Sequence, residues 1–321
     1  MKLGVIGTGA ITKSMLAEYQ RCDQFEIHAI CSRKEETGRA MAEAFSIPKI
    51  YTELADMLAD PEIEIIYVAT PNSIHFRQAK AALQAGKHVI CEKPFTPTVA
   101  EAEELIALAK ANGRLLFEAI TTAHHPHYRF IKENLPKLGK LKIVTATFCQ
   151  FSSRYPALLA GNPSPVLNHA FAGGALMDIN LYNIHFAVGL FGAPEKVRYY
   201  PNRHESGVDT SGILVLEYKD FLCQCIGAKD CSARNGVQIV GENGYMEVTP
   251  SSSNCQTVEL NIRGQEQVSV CLPENPWYYE VQDLGRIIAA GNYDAVYGSL
   301  EITRNVVAVL EEARAFAGFG F

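Results

Sequence analysis

The chain has 321 residues, 48% of them hydrophobic and 20% charged, enough for two domains at roughly 100 to 200 residues each and unlike a disordered or fibrous chain. Lys plus Arg number 29 against 35 Asp plus Glu, a net charge of −6 with no basic run, so no nucleic acid is expected as a partner. The most apolar stretch, residues 63–70, is broken by Glu64 and stops at Pro71. It falls short of the roughly 18 residues a membrane helix needs, so no membrane is expected either.

Through the first 120 residues, short apolar runs alternate with longer helical patterns. Residues 3–6, 25–31, 63–69, 88–92 and 115–119 read as strands, and 10–20, 34–45, 74–85 and 99–111 as helices, the last closed by Asn112-Gly113. Such alternation predicts an α/β fold with a parallel, doubly wound sheet. Beyond about residue 140, runs at 142–151, 212–218, 221–228, 237–240, 245–248, 257–262 and 267–272 follow one another through turns such as Lys219-Asp220 and Glu242-Asn243-Gly244. These predict a large, mainly antiparallel sheet, with helices at 174–190, 278–290 and 299–317. The expected division is residues 1–121 as a dinucleotide-binding domain of Rossmann type and 122–321 as an α+β domain for substrate binding and oligomerisation. So few helices cannot cover both faces of that second sheet, so a homodimer or homotetramer formed through it is expected.

Gly7-Thr8-Gly9-Ala10-Ile11-Thr12 sits where the first strand turns into the first helix. In a dinucleotide site the first glycine permits the tight turn and the second lets backbone approach the pyrophosphate, which rests on the helix N-terminus. The third position is Thr12 in place of Gly or Ala. A ribose with a free 2′-hydroxyl calls for a carboxylate at the end of the second strand. The segment there is Ser32-Arg33-Lys34, with no acid before Glu35, and it suits a 2′-phosphate. NADP is therefore expected over NAD. Val89-Ile90-Cys91-Glu92-Lys93-Pro94 then places a lysine at the carboxyl end of a buried strand, where open α/β sheets bind their ligands.

With Thr70-Pro71-Asn72 and His75 after the preceding strand, these motifs resemble the Gfo/Idh/MocA family of nicotinamide-dependent oxidoreductases over essentially the whole chain. A further match is Gly173-Gly174-Ala175-Leu176-Met177-Asp178-Ile179-Asn180-Leu181-Tyr182. The resemblance implies cofactor contacts from Gly7, Thr8, Gly9, Ala10, Ile11, Ser32, Arg33, Lys34, Thr70, Pro71, Asn72, His75, Glu92 and Lys93. It also implies catalysis by Lys93, Asp178 and an acid/base residue four positions after Asp178, here Tyr182. The Tyr variant resembles the dihydrodiol and sugar dehydrogenase branch, although that branch's Gly after Asp-Ile is Asn180 here. Independently, Asp178 and Tyr182 are spaced i, i+4 and share one helical face. A phenol titrates ordinarily near 10, so Tyr182 needs a cation to act as a base at neutral pH, and Lys93 is expected to supply it.

The implied activity is a dehydrogenase acting on a secondary alcohol or ketone of a sugar, polyol or alicyclic diol. Two alternatives share most of these motifs: a non-catalytic cofactor-sensing regulator, and a cofactor-dependent glycosidase of the same family. The nine cysteines are scattered without a CxxC pair, which predicts reduced thiols rather than a disulfide framework or zinc site. The glycine motif begins so near Met1 that no signal peptide is expected, and the location is read as cytoplasmic. His124-His125-Pro126-His127 has no Cys or carboxylate at metal-ligand spacing, so no metal is expected. His185, seven residues after Asp178, is a further candidate for substrate contact.

Overall fold

A computed structural model describes residues 1–320, with every side chain except that of Ala295. Contacts divide them into two units: Met1–Ala119 with Glu280–Arg304, and Ile120–Tyr279 with Asn305 onward. The expected single cut between 121 and 122 differs from this, because residues 280–304 return to the first unit. Val281 and Leu284 are fully buried there, Gln282 Nε2 donates to the Arg21 carbonyl at 2.9 Å, and Thr303 Oγ1 donates to Glu118 Oε2 at 2.8 Å.

The first unit contains β1 (Lys2–Ile6), α1 (Ala10–Tyr19), β2 (Glu26–Cys31), α2 (Glu35–Phe45), β3 (Lys49–Tyr51), α3 (Leu54–Ala59), β4 (Ile65–Val68), α4 (His75–Gln84), β5 (His88–Glu92), α5 (Val99–Ala111) and β6 (Leu116–Ala119). Its six strands run in the order β3-β2-β1-β4-β5-β6, every pair parallel. Strand order reverses between β1 and β4, and a ligand crevice opens outside the carboxyl ends of the strands at such a point. β4 and β5 are buried along their whole length, as expected for a sheet covered on both faces. β3 and α3 escaped the sequence reading, since neither is long enough to show a period.

The second unit holds α6 (Thr121–His124), α7 (Pro126–Asn134), β7 (Leu141–Cys149), α8 (Tyr155–Leu159), a π-helical turn (Leu176–Asn180) that runs into α9 (Leu181–Phe191), and seven further strands. These are β8 (Lys196–Arg203), β9 (Asp209–Glu217), β10 (Leu222–Ala228), β11 (Gly236–Gly241), β12 (Gly244–Ser251), β13 (Asn254–Ile262) and β14 (Val268–Cys271). The helices α10 (Pro276–Ala290) and α11 (Tyr293–Ala317) are each divided between the two units. The eight strands run β14-β13-β12-β11-β7-β10-β9-β8, antiparallel except for β7 with β10. About seven were expected. The addition is β8, whose charged ends and Pro201 mask its alternation and which lies at the sheet edge, where proline is tolerated.

Alternation gives this sheet two different faces. Val144, Ala146, Leu214, Leu216, Cys223, Cys225, Val237 and Ile239 are buried, whereas Ile143, Ile213, Leu222 and Tyr245 are 40–55% exposed. No helix among the described residues is long and apolar enough to cross a membrane.

Candidate active site

The turn after β1 is built for close approach. Gly7 has φ +112°, and a Cβ there would lie 2.2 Å from the Ala69 carbonyl oxygen, so only glycine fits. Gly9 caps α1 with extended backbone and open space where its Cβ would stand. The first turn of α1 carries no acidic residue, so its unpaired N–H groups and positive dipole end suit an anion. Thr8 and Ile11 are half-buried, Ala10 is exposed, and Thr12 is fully buried beneath the turn. At the end of β2, Ser32 is buried with its hydroxyl 2.7 Å from Thr37 Oγ1, while Arg33 and Lys34 are exposed. Glu35, the first acid after them, is engaged by Arg39 at 2.5 Å. This cradle fits a dinucleotide pyrophosphate, with cations free for a 2′-phosphate.

Thr70, Pro71 and Asn72 after β4 are half-buried, as is Lys93 immediately after β5. His75 and Glu92, expected against the cofactor, face inward instead. His75 is fully buried, with Nδ1 2.9 Å from the Pro94 carbonyl oxygen and Nε2 2.8 Å from that of Thr70. It braces the loop after β4 against the loop that carries Lys93, and burial lowers its pKa. Glu92 is 7% exposed and accepts a 2.5 Å hydrogen bond from the Tyr67 hydroxyl. Lys93 follows in the bend immediately after β5, where the strand has ended.

Burial pushes the Glu92 carboxyl up to about 7, against the pull of the Tyr67 bond and the Lys93 charge, and Glu118 adds like-charge repulsion. Between pH 4.5 and about 7 the folded chain therefore keeps a proton that the unfolded chain releases. Stability should fall as pH rises through this window and level off above it, a total on the order of 3 kcal/mol. Glu92→Gln should match the parent in urea unfolding at about pH 4, below the window, and exceed it at pH 8. Parallel pH dependence in the two proteins would contradict this assignment.

In the second unit, every residue from Ala172 to Val188 is buried except two, Asp178 and Tyr182, which are half-buried. The helix is anchored by amides. Asn180 Nδ2 donates to the Cys225 carbonyl at 3.2 Å, Asn183 Nδ2 to Asn180 Oδ1 at 2.9 Å and to the Ile226 carbonyl at 3.0 Å, and Ser252 Oγ to Asn183 Oδ1 at 2.6 Å. Asn180 thus replaces the expected glycine with a structural tether. It approaches β10 so closely that a Cβ on Gly227 would come within 2.5 Å of its own Cβ. The Asp178 segment is π-helical, a geometry frequent at functional sites, and four π or mixed steps still leave Asp178 and Tyr182 on one face. The Tyr182 ring packs 5.8 Å from that of Phe148. His185 is 3% exposed.

Asp178 forms an ion pair with Lys229, which follows β10. The sequence reading missed Lys229, since Lys229-Asp230 after an apolar run reads as an ordinary turn. His125 and His127 serve packing: His125 Nδ1 accepts from the His127 backbone N–H at 3.3 Å, its ring lies 4.9 Å from that of Tyr279, and His127 Nδ1 is 2.8 Å from the Cys255 carbonyl oxygen. Burial lowers the His125 pKa to about 4.

Residues 1–120 match the family model described as an oxidoreductase family with an NAD-binding Rossmann fold, and residues 135–247 match the GFO/IDH/MocA C-terminal domain. The chain is 32% identical to the scyllo-inositol 2-dehydrogenase (NADP(+)) IolU of Bacillus subtilis, covering 99% of this chain and 97% of that protein. It is 27% identical to human trans-1,2-dihydrobenzene-1,2-diol dehydrogenase, with 100% and 98% covered. Among solved structures, the aldose-aldose oxidoreductase from Caulobacter crescentus complexed with glycerol superposes with a TM-score of 0.82 at 26% identity, covering 98% of each chain.

Proposed function

This chain belongs to the Gfo/Idh/MocA oxidoreductases and is an NAD(P)-dependent dehydrogenase acting on CH–OH groups, and we propose that it oxidises a secondary alcohol of a sugar, inositol-like polyol or alicyclic diol, or reduces the matching ketone. The observation that carries this reading is the pair Asp178 and Tyr182, the two half-buried residues in the otherwise buried stretch 172–188. An inositol dehydrogenase and a dihydrodiol dehydrogenase among the relatives support the substrate class.

Gly7, Gly9 and the α1 N-terminus would hold the pyrophosphate, with Ser32, Arg33 and Lys34 on the 2′-phosphate side. The nicotinamide, when bound, supplies the hydride acceptor or donor. In this reading Tyr182 takes the hydroxyl proton during oxidation and returns it during reduction. Lys93 donates a hydrogen bond to the reacting oxygen and stabilises the charge that develops on it. Asp178 accepts a hydrogen bond from substrate and fixes its orientation.

A screen of sugars, inositols and diols with both cofactors tests the function. Formation of reduced cofactor together with a ketone product is expected, and no turnover with any polyol class would overturn the reading. The same assays address cofactor choice. NADP should bind more tightly than NAD, and Arg33→Asp should reverse the order, because it removes a charge-assisted donor and installs an acceptor for the 2′-hydroxyl. Equal affinities in parent and variant would remove Arg33 from that role.

The exposed apolar face of the second unit supports self-association. Tyr245, Val240, Ile143 and Leu222 stand in register across four adjacent strands, and Tyr200, Ile213 and Ile226 across three. This row is apolar over a length that isolated surface residues do not account for, and a second copy is the expected cover. Light scattering should report a dimer or tetramer at micromolar concentration, and Ile143→Glu should shift it toward monomer. A parent protein that is monomeric would refute this. The free thiols of the described residues, seven of nine cysteines buried, support a reducing, cytoplasmic location.

A further inference from the structure

We infer that Lys229 is a positioning residue, holding the Asp178 carboxylate ionised and oriented toward substrate; the inference rests on the role proposed above for Asp178. The root of Lys229 is fixed on both sides: its N–H donates to the Thr210 carbonyl at 2.8 Å, and its own carbonyl accepts from the Ser152 N–H at 2.8 Å. Its side chain is 9% exposed and that of Asp178 is 21% exposed. The ammonium is therefore the deeper member of the pair, and the carboxylate is the one that opens outward. A cation so placed requires an anionic partner.

Three acids lie along this edge of the unit, and each has its own set of donors. Asp209, at the start of β9, accepts from the Leu176 N–H and the Tyr199 hydroxyl, both at 2.7 Å, and feels the charges of Arg203 and Arg314. Asp230 accepts from Thr210 Oγ1 at 2.7 Å and Ser211 Oγ at 2.9 Å. Lys229 is directed to Asp178. The ionised carboxylate is an acceptor only, whereas a protonated carboxyl would turn a donor toward the substrate. Lys229 thus sets the polarity of the hydrogen bond that Asp178 offers to a substrate hydroxyl, and Tyr182 works one turn along the same face.

A merely structural clamp between β10 and the helix would also be weakened by losing Lys229, so the decisive measurements are those a clamp would not move. Asp carboxyl carbons observed by NMR, with Asp178→Asn identifying the Asp178 signal by difference, should show the Asp178 titration midpoint rising by roughly one pH unit or more in Lys229→Met. It should return toward the parent value in Lys229→Arg, and Lys229→Gln replaces the Met variant if that fails to fold. An unchanged midpoint overturns the inference. In kinetics, Lys229→Met should lower kcat/KM for the polyol by about 10- to 100-fold and leave the NADP dissociation constant unchanged. In an Asp178→Asn background the further loss should be less than about twofold, because the two residues act as a unit. Additive losses would show Lys229 working independently of Asp178 and would also overturn the inference. Should the parent oxidise no polyol, the proposed function falls, while the titration still decides the role of Lys229.

Discussion

Tyr182→Phe is expected to lower kcat by about 10²- to 10⁴-fold, the contribution of one general acid/base group, with the NADP dissociation constant nearly unchanged. The substitution removes one hydroxyl and keeps the ring, so the packing against Phe148 at 5.8 Å survives and the helix stays anchored through Asn180 and Asn183. The variant should therefore fold with the parent's melting temperature, and the loss can be read as chemistry. Tyr182 is not among the residues proposed to hold the cofactor, so cofactor affinity serves as the control. Steady-state rates at saturating cofactor, together with a fluorescence titration of NADPH, supply both numbers. A variant with parental kcat on the best substrate would exclude Tyr182 as the proton carrier. His185, the other titratable side chain on that helix, is a poor substitute because only 3% of its surface is exposed.

Lys93→Met should cost at least as much in kcat, about 10²-fold or more. Met has a similar length and an apolar stem, so the half-buried path after β5 stays filled while the ammonium is lost. In the proposed mechanism the hydrogen bond to the developing oxyanion disappears with it. Rate loss should consequently persist for ketone reduction as well as alcohol oxidation. If Lys93 served only to hold cofactor, the variant would instead show a weakened NADP dissociation constant with kcat intact at saturation, and that pattern would overturn the catalytic assignment. His75 bears on the same question. Its ring sits between the Pro94 and Thr70 carbonyls, its N–H donating to one of them, and so braces the loop on which Lys93 is displayed.

Much of the first unit was legible because its signals are local. β5 and α5 fall at the expected residues, and the Thr98 hydroxyl accepts from the Glu101 N–H at 3.4 Å to cap α5. Gly7 and Gly9 were readable because a positive φ and a bare helix start leave few residue choices. The i, i+4 spacing of Asp178 and Tyr182 was readable too, and it survives the π-helical turn that no composition signal announced. By contrast, β4 and β5 are buried on both faces, so their sequences carry no alternation to say which way Glu92 and Lys93 point. The inward turn of Glu92 toward Tyr67, 25 residues away, emerges only when β4 and β5 pair.

The sequence by itself determined the parallel α/β grammar, the anion-binding turn, the basic end of β2 and the pair of polar residues on one helical face, all of which rest on neighbours within a few positions. Only the tertiary structure decided that residues 280–304 pack with the first unit, that His75 and Glu92 face inward, and that Asp178 meets a cation 51 residues further along the chain. Backbone periodicity and turn chemistry act over one or two turns of chain, whereas the choice of ion-pair partner depends on which strand ends the sheet brings together.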